Sequence, residues 1–242
     1  MTRRAAGHPL TRRTRVQPLG IVPNLIDQVY ERLVDAIAAG ELEPGARLGQ
    51  EEVAARLGVS RQPVSHALHM LKRQGLAIEQ GKRGVAVAPI EPRRIADLYE
   101  VRAALEEVAA SRAARAVAEG LADPAAFFAA RNALATGQSL SDADPMHDWI
   151  AADVRFHSAL HRLSGNMAIV ETVAAQWPHF KRSMGAVLGD REIRRRVWAE
   201  HAGILAAVEA GDPDEAGRRA RTHTEQAGAA LVARLLLKDD AA

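Results

Sequence analysis

Apolar residues recur at i, i+3, i+4 and i+7 in Val64, Ala67, Leu68 and Leu71, a spacing that commits one side of a helix to a core. The other side then carries Arg61, Gln62, Ser65, His66, His69, Lys72 and Arg73. Ser60 stands where a hydroxyl oxygen can accept from the free amides of the first turn, and Pro63 falls where its missing N–H has no intrahelical partner. Upstream, residues 50–57 read as a short helix with Glu51 and Glu52 at its positive end, and Gly58 supplies the left-handed residue that stops it. Downstream, Gly75 ends the second helix. Leu76-Ala77-Ile78 and Val85-Ala86-Val87 then alternate in period two around Gln80-Gly81-Lys82-Arg83-Gly84, which predicts a hairpin with a basic, glycine-rich tip. Helix, glycine turn, helix and basic hairpin together make a winged helix-turn-helix.

Past Pro89 and Pro92 the pattern changes to long helical periods without strand-like alternation. It predicts about six helices, at 93–118, 123–136, 144–163, 167–187, 190–210 and 213–237, with stop signals such as Gly120, Gly165, Gly189 and Gly211 between them. The expected architecture is mainly α. An N-terminal winged helix-turn-helix with a small β-hairpin wing spans 23–90, and an all-α antiparallel bundle spans 93–237. Residues 1–22, with five arginines and no acid, read as a flexible basic arm that either touches DNA phosphates or only aids solubility.

Composition supports this division. Aromatics are 4% of the chain within a 48% hydrophobic content dominated by alanine, which suits close-packed helices better than a β-sandwich. Residues 1–90 hold 13 Lys/Arg against 8 Asp/Glu, whereas the rest holds 19 against 22. The basic excess therefore sits with the predicted wing, where it favours a polyanion through counterion release. The chain has no cysteine, so disulfides and thiolate metal sites are excluded. No apolar run reaches the roughly 20 residues that span a bilayer, and no hydrophobic segment follows Arg3-Arg4. A cytoplasmic protein with no membrane partner is the expectation.

The predicted bundle carries polar residues on apolar faces. Asp153 and His157 lie one turn apart between Ile150 and Leu160; His201 sits among Val197, Ile204 and Val208; His223 lies among Ala216, Ala220, Ala227 and Leu231. A buried carboxylate and three inward imidazoles need partners, and a divalent ion satisfies all four together. Oxygen and nitrogen ligands without thiolate suit zinc, nickel or manganese alike. Taken singly, each histidine reads as a hydrogen-bonded core residue. Trp149, Trp177 and Trp198 read as core or pocket wall, Arg194-Arg195-Arg196 as a solvated face, and Asn166 as a helix cap. His147, His161 and His179 show no clear partner set.

From Asn24 through the helix of residues 25–37, Pro44-Gly45-Ala46-Arg47-Leu48, Gly58-Val59-Ser60-Arg61 and Gly75-Leu76, the chain resembles the GntR family of bacterial transcription regulators. That resemblance covers residues 23–90 and implies that Ser60 and Arg61 hold phosphate and base edges, while Gly81 places the wing so that Lys82 and Arg83 meet phosphates. Where the family commonly has threonine, arginine and glutamate, this chain has Gln62, Ser65 and His66, so the usual operator is not implied. Losing an arginine that grips guanine bidentately removes about 1–3 kcal/mol of discrimination at one base pair.

Asp153-Val154-Arg155-Phe156-His157, Ser164-Gly165-Asn166, Glu200-His201 and Arg221-Thr222-His223 resemble the FCD effector domain of the FadR subfamily, and the compact length favours its VanR-like, six-helix branch. This implies a metal held by Asp153, His157, His201 and His223. It also assigns Arg102, in Tyr99-Glu100-Val101-Arg102, to a small organic-acid effector; the alternative for Arg102 is an internal ion pair with Glu106 or Glu107. The combined expectation is a ligand-responsive repressor that binds a double-stranded DNA operator as a homodimer. Two rivals remain: a metalloenzyme fused to a DNA-binding module, and a nonspecific architectural DNA-binding protein.

Overall fold

The computed structural model describes residues 25–81 and 84–239. The arm read at 1–22 and the wing residues Lys82 and Arg83 lie outside them.

The first unit is built on α1 (Leu25–Ala38), α2 (Gln50–Leu57) and α3 (Arg61–Arg73). Each buries the stripe its periodicity assigns: Val29, Leu33, Val34 and Ile37 from α1, Val53 and Ala54 from α2, and Val64, Ala67, Leu68 and Leu71 from α3. These side chains form one core with Leu48, Leu76 and Val87. Gly58 is left-handed, at φ 65°, and its amide bonds back into the end of α2, so α3 leaves in a new direction. Ser60 occupies the N-cap of α3 with extended backbone, but its hydroxyl makes no capping bond.

β1 (Ala77–Glu79) and β2 (Val85–Val87) pair antiparallel in the register Ala77 to Val87, Ile78 to Ala86 and Glu79 to Val85. Arg47 adds an antiparallel bridge to Ala86. The hairpin is thus tied to the loop before α2.

Seven helices follow among the described residues: α4 (Pro92–Ala118), α5 (Pro124–Ser139), α6 (Met146–Leu163), α7 (Met167–Ala174), α8 (Trp177–Val187), α9 (Arg191–Glu209) and α10 (Pro213–Asp239). The single helix expected at 167–187 is two. Pro178 lies in the first turn of α8, where its ring and missing amide are tolerated, whereas a continuous helix would have needed that amide. Asn166 caps α7, its side chain accepting from the Ala168 amide at 3.1 Å. Where α10 crosses α4, a Cβ on Gly228 would stand 2.8 Å from Tyr99, so only glycine permits the approach.

One apolar cluster of this bundle joins Ile95, Tyr99, Trp149, Trp177, Phe180 and Leu231, and it takes in Ala38 from the end of α1. A second is built largely of alanines around Phe156, Leu160 and Ile204. Between the two lie the polar side chains that neither cluster explains.

Candidate nucleic-acid interface and metal centre

On α3, Arg61, Gln62 and His66 are exposed and Ser65 is half-buried, so the face opposite the core is open along the helix. Ser60 is exposed just ahead of it. Arg61 meets Glu51 at 2.9 Å, a pair exposed on both sides and worth little in water. A phosphate or base edge displaces such a partner at small cost. Gly81 lies at φ 54° at the hairpin tip, a conformation that suits glycine. The flanking strands place that tip in the same unit as α3.

In the bundle, α6 supplies Asp153 and His157, α9 supplies His201, and α10 supplies His223. All four are buried. One ring nitrogen from each of the three histidines falls within 4.8 Å of the others. His201 Nε2 lies 3.2 Å from His223 Nε2, and Asp153 approaches His201 Nε2 at 3.5 Å and His157 Nε2 at 3.9 Å. The donor atoms of three histidines from three helices therefore face one another, with the Asp153 carboxylate alongside two of them.

Burial favours the neutral ring at His157 and at His201. Burial pushes His201 well below the ordinary histidine range and pushes His157 down as well. Neutral imidazole is the form that offers a lone pair. On its far side His223 Nδ1 lies 2.7 Å from a Glu200 carboxylate oxygen, so the ring donates outward and keeps Nε2 free for the centre. Among the described residues Asp153 has ion-pair neighbours only in His157 and His201, and its Oδ2 has no hydrogen-bond donor. A buried carboxylate oxygen without a donor is costly. A divalent ion coordinated by oxygen and imidazole nitrogen fits this donor set.

Beside it lies a second constellation that the sequence reading largely missed. Glu106, buried on α4, takes Arg102 Nε at 3.1 Å, His157 Nδ1 at 3.1 Å and His161 Nε2 at 3.0 Å. The two imidazole contacts are close but not aligned along the N–H direction. Burial would raise the Glu106 carboxyl; His157 and His161 outweigh it and hold the group well below the usual range. Arg102 is also buried, its guanidinium 4.8 Å from the centre of the Phe180 ring and 5.1 Å from that of Trp177. The signal for His161 was its i+4 spacing from His157, which continues the Asp153 stripe one further turn.

Two other expectations change. Arg194 does not share a solvated face with Arg195 and Arg196: it is buried against Trp149 and bonds the Leu188 carbonyl at 2.6 Å and Asp142. His179 is buried at the junction of the two units, with Nε2 2.8 Å from the Gln74 carbonyl oxygen.

Two families match the chain: "Bacterial regulatory proteins, gntR family" over residues 25–87 and "FCD domain" over residues 97–226. An HTH-type transcriptional regulator from Streptomyces ambofaciens is 33% identical over 81% of this chain and 80% of its own length. The HTH-type transcriptional repressor NanR of Klebsiella aerogenes is 29% identical over 94% of this chain and 91% of its own. A crystal structure of a GntR transcriptional regulator from Rhodococcus sp. RHA1 superposes with a TM-score of 0.71 at 26% identity, covering 86% of this chain and 97% of that one. These families and relatives are transcriptional regulators rather than enzymes. No described helix is long and apolar enough to cross a membrane.

Proposed function

The chain belongs to the GntR family of bacterial regulatory proteins and carries an FCD domain behind its DNA-binding head, and from that premise we propose a metal-dependent, effector-responsive transcriptional repressor. The observation that carries the reading is the buried cluster of His157, His201 and His223 within the FCD domain, with the Asp153 carboxylate beside two of them. Asp153, His157, His201 and His223 would hold a divalent ion, which would supply a positive charge able to attract an anionic guest. Asp153 supplies its charge, Glu200 orients His223, and Glu106 stands behind His157. Arg102, buried against Trp177 and Phe180, would be the residue to meet a small carboxylate effector.

In the head, Ser60, Arg61, Gln62, Ser65 and His66 meet the major groove. Gly81 brings the wing close to the backbone, with Lys82 and Arg83 as its phosphate contacts. Two heads in a homodimer match a palindromic operator with half-sites about one helical turn apart. Within the family we place the chain in the FadR subfamily, on the VanR-like branch, with one of that branch's six helices divided at Pro178. Its place is the cytoplasm, where the operator is.

Binding is tested with the full chain, metal-loaded, against the promoter region upstream of its own coding sequence and against a random duplex at fixed salt. Preference for the promoter, relieved by a small organic acid, supports the reading. Equal affinity for both duplexes favours the architectural alternative.

A further inference from the structure

The face of α4 turned away from the buried cluster is open along much of its length. Asp97, Val101, Ala104, Val108, Ser111 and Arg115 step along it by four and three residues in turn, the spacing that keeps a seam on one side of a helix. Val101 is 58% exposed and Val108 45%, and Asp97, Ala104 and Arg115 are exposed with them. Single exposed apolar side chains are ordinary on a surface; two valines aligned with an alanine between them form a stripe. On one flank Glu107 pairs with Arg221 of α10 at 2.8 Å, and on the other Arg112 Nε donates to the Ser164 carbonyl at 3.1 Å. The charges beside the seam are thus satisfied within the chain. Asp97 and Arg115, at its two ends, have no ion-pair partner among the described residues.

Those two ends complement each other. They stand 18 residues apart, about 27 Å along the axis, too far for exposed charges to feel one another through screening salt. We propose that α4 is the two-fold seam of the homodimer, packed antiparallel on α4 of a second copy of this chain. An antiparallel copy brings Asp97 of each chain to Arg115 of the other. Helices that mesh on this spacing then set the small Ala104 beside Val108 of the other copy and Val101 beside Ser111, so both valines are covered. Parallel helices would instead stack Asp97 on Asp97 and Arg115 on Arg115. A surface that is its own complement closes as a dimer and does not propagate. Arg102 and Glu106 lie on the opposite side of α4, so the seam leaves the buried cluster undisturbed. The inference rests on the homodimer proposed above and adds to it the surface that makes it.

Sedimentation equilibrium of the full-length protein tests the seam, and the wild type is expected as a dimer. Val101→Glu combined with Val108→Glu would bury carboxylates there and is expected to raise the dissociation constant by about 100-fold or more, with helical content by circular dichroism unchanged. Asp97→Arg and Arg115→Asp, each alone, set like charges opposite one another and are expected to raise it by about tenfold or more; carried together they exchange the signs and return it to within about threefold of wild type. A dimer undiminished by the two glutamates overturns the inference while leaving the homodimer reading intact. So does a double charge variant that associates no more tightly than its single parents. A wild type that stays monomeric at the highest concentration reached strikes at the homodimer reading itself and overturns both. Should the valine variant lose helical content, the charge exchange decides alone.

Discussion

The Nε2 of His179, on α8, lies 2.8 Å from the carbonyl oxygen of Gln74, and this contact ties the FCD domain to the residue that caps the end of α3. Also on α8, Arg182 reaches the Ala88 and Pro89 carbonyls at 3.4 and 2.5 Å, and Lys181 pairs with Asp35 of α1 at 3.1 Å. A Cβ on Gly185 would stand 2.7 Å from the Ala38 carbonyl oxygen, so α8 presses directly on the head. Its other side carries Trp177 and Phe180 over Arg102. His179→Ala is expected to leave the operator affinity of the effector-free protein within about threefold and to reduce the effector's influence on it by about 2- to 12-fold. That range corresponds to one hydrogen bond of 0.5–1.5 kcal/mol. Fluorescence anisotropy with and without the acid measures both quantities, and an undiminished response would remove α8 from the route.

Replacing Arg61 by alanine is expected to weaken operator binding by about 5- to 150-fold, in line with loss of a good base contact at about 1–3 kcal/mol. Its Glu51 partner is exposed, so stability should scarcely change. Operator affinity together with the thermal midpoint checks this. Unchanged affinity would show that the exposed end of α3 does not read DNA.

The paired substitutions His201→Ala and His223→Ala are expected to abolish stoichiometric metal, read by elemental analysis after dialysis against a weak chelator. Glu200→Gln should retain the metal with affinity lowered by about 10- to 100-fold, because the ring it orients remains. Full metal content in the double variant would mean that the ligands lie elsewhere.

Much of this centre was legible because a helix repeats its face every three or four residues, so Asp153, His157 and Leu160 had to share a side. The convergence of α6, α9 and α10 is a tertiary fact that periodicity alone does not contain. His161 escaped for that reason: its partner, Glu106, comes from α4, which is 55 positions earlier by their numbers. Arg194 was misread because its neighbours Arg195 and Arg196 are exposed, while its own carbonyl partner, Leu188, lies in the turn before α9. Pro178 was visible in the sequence; the helical pattern on either side of it concealed the break.

Acidification should loosen the junction. Burial holds His179 below the ordinary histidine range, against the opposing pull of the Gln74 carbonyl. Since its folded value is depressed, the unfolded chain binds more protons near and below pH ~6.5, so stability rises with pH there. The contribution is complete above that value and is lost as pH falls from it through the lowered folded value. His157 and His201 act in the same sense in the metal-free protein. Thermal midpoints of the metal-free protein should therefore fall between about pH 7.5 and 5.5. The decline should be shallower in His179→Gln, and an identical decline in the variant would exclude His179 from it.

The interruption at Pro178 gives α8 an independence that a continuous rod would deny it. Its eleven residues take their direction from whatever packs on their two flanks rather than from α7. One flank carries Trp177 and Phe180 over Arg102 and the other packs on the head, so a displacement on either side registers on the same short lever. Evolution can retune such a junction from either end, replacing side chains toward the head without rebuilding the cluster of His157, His201 and His223.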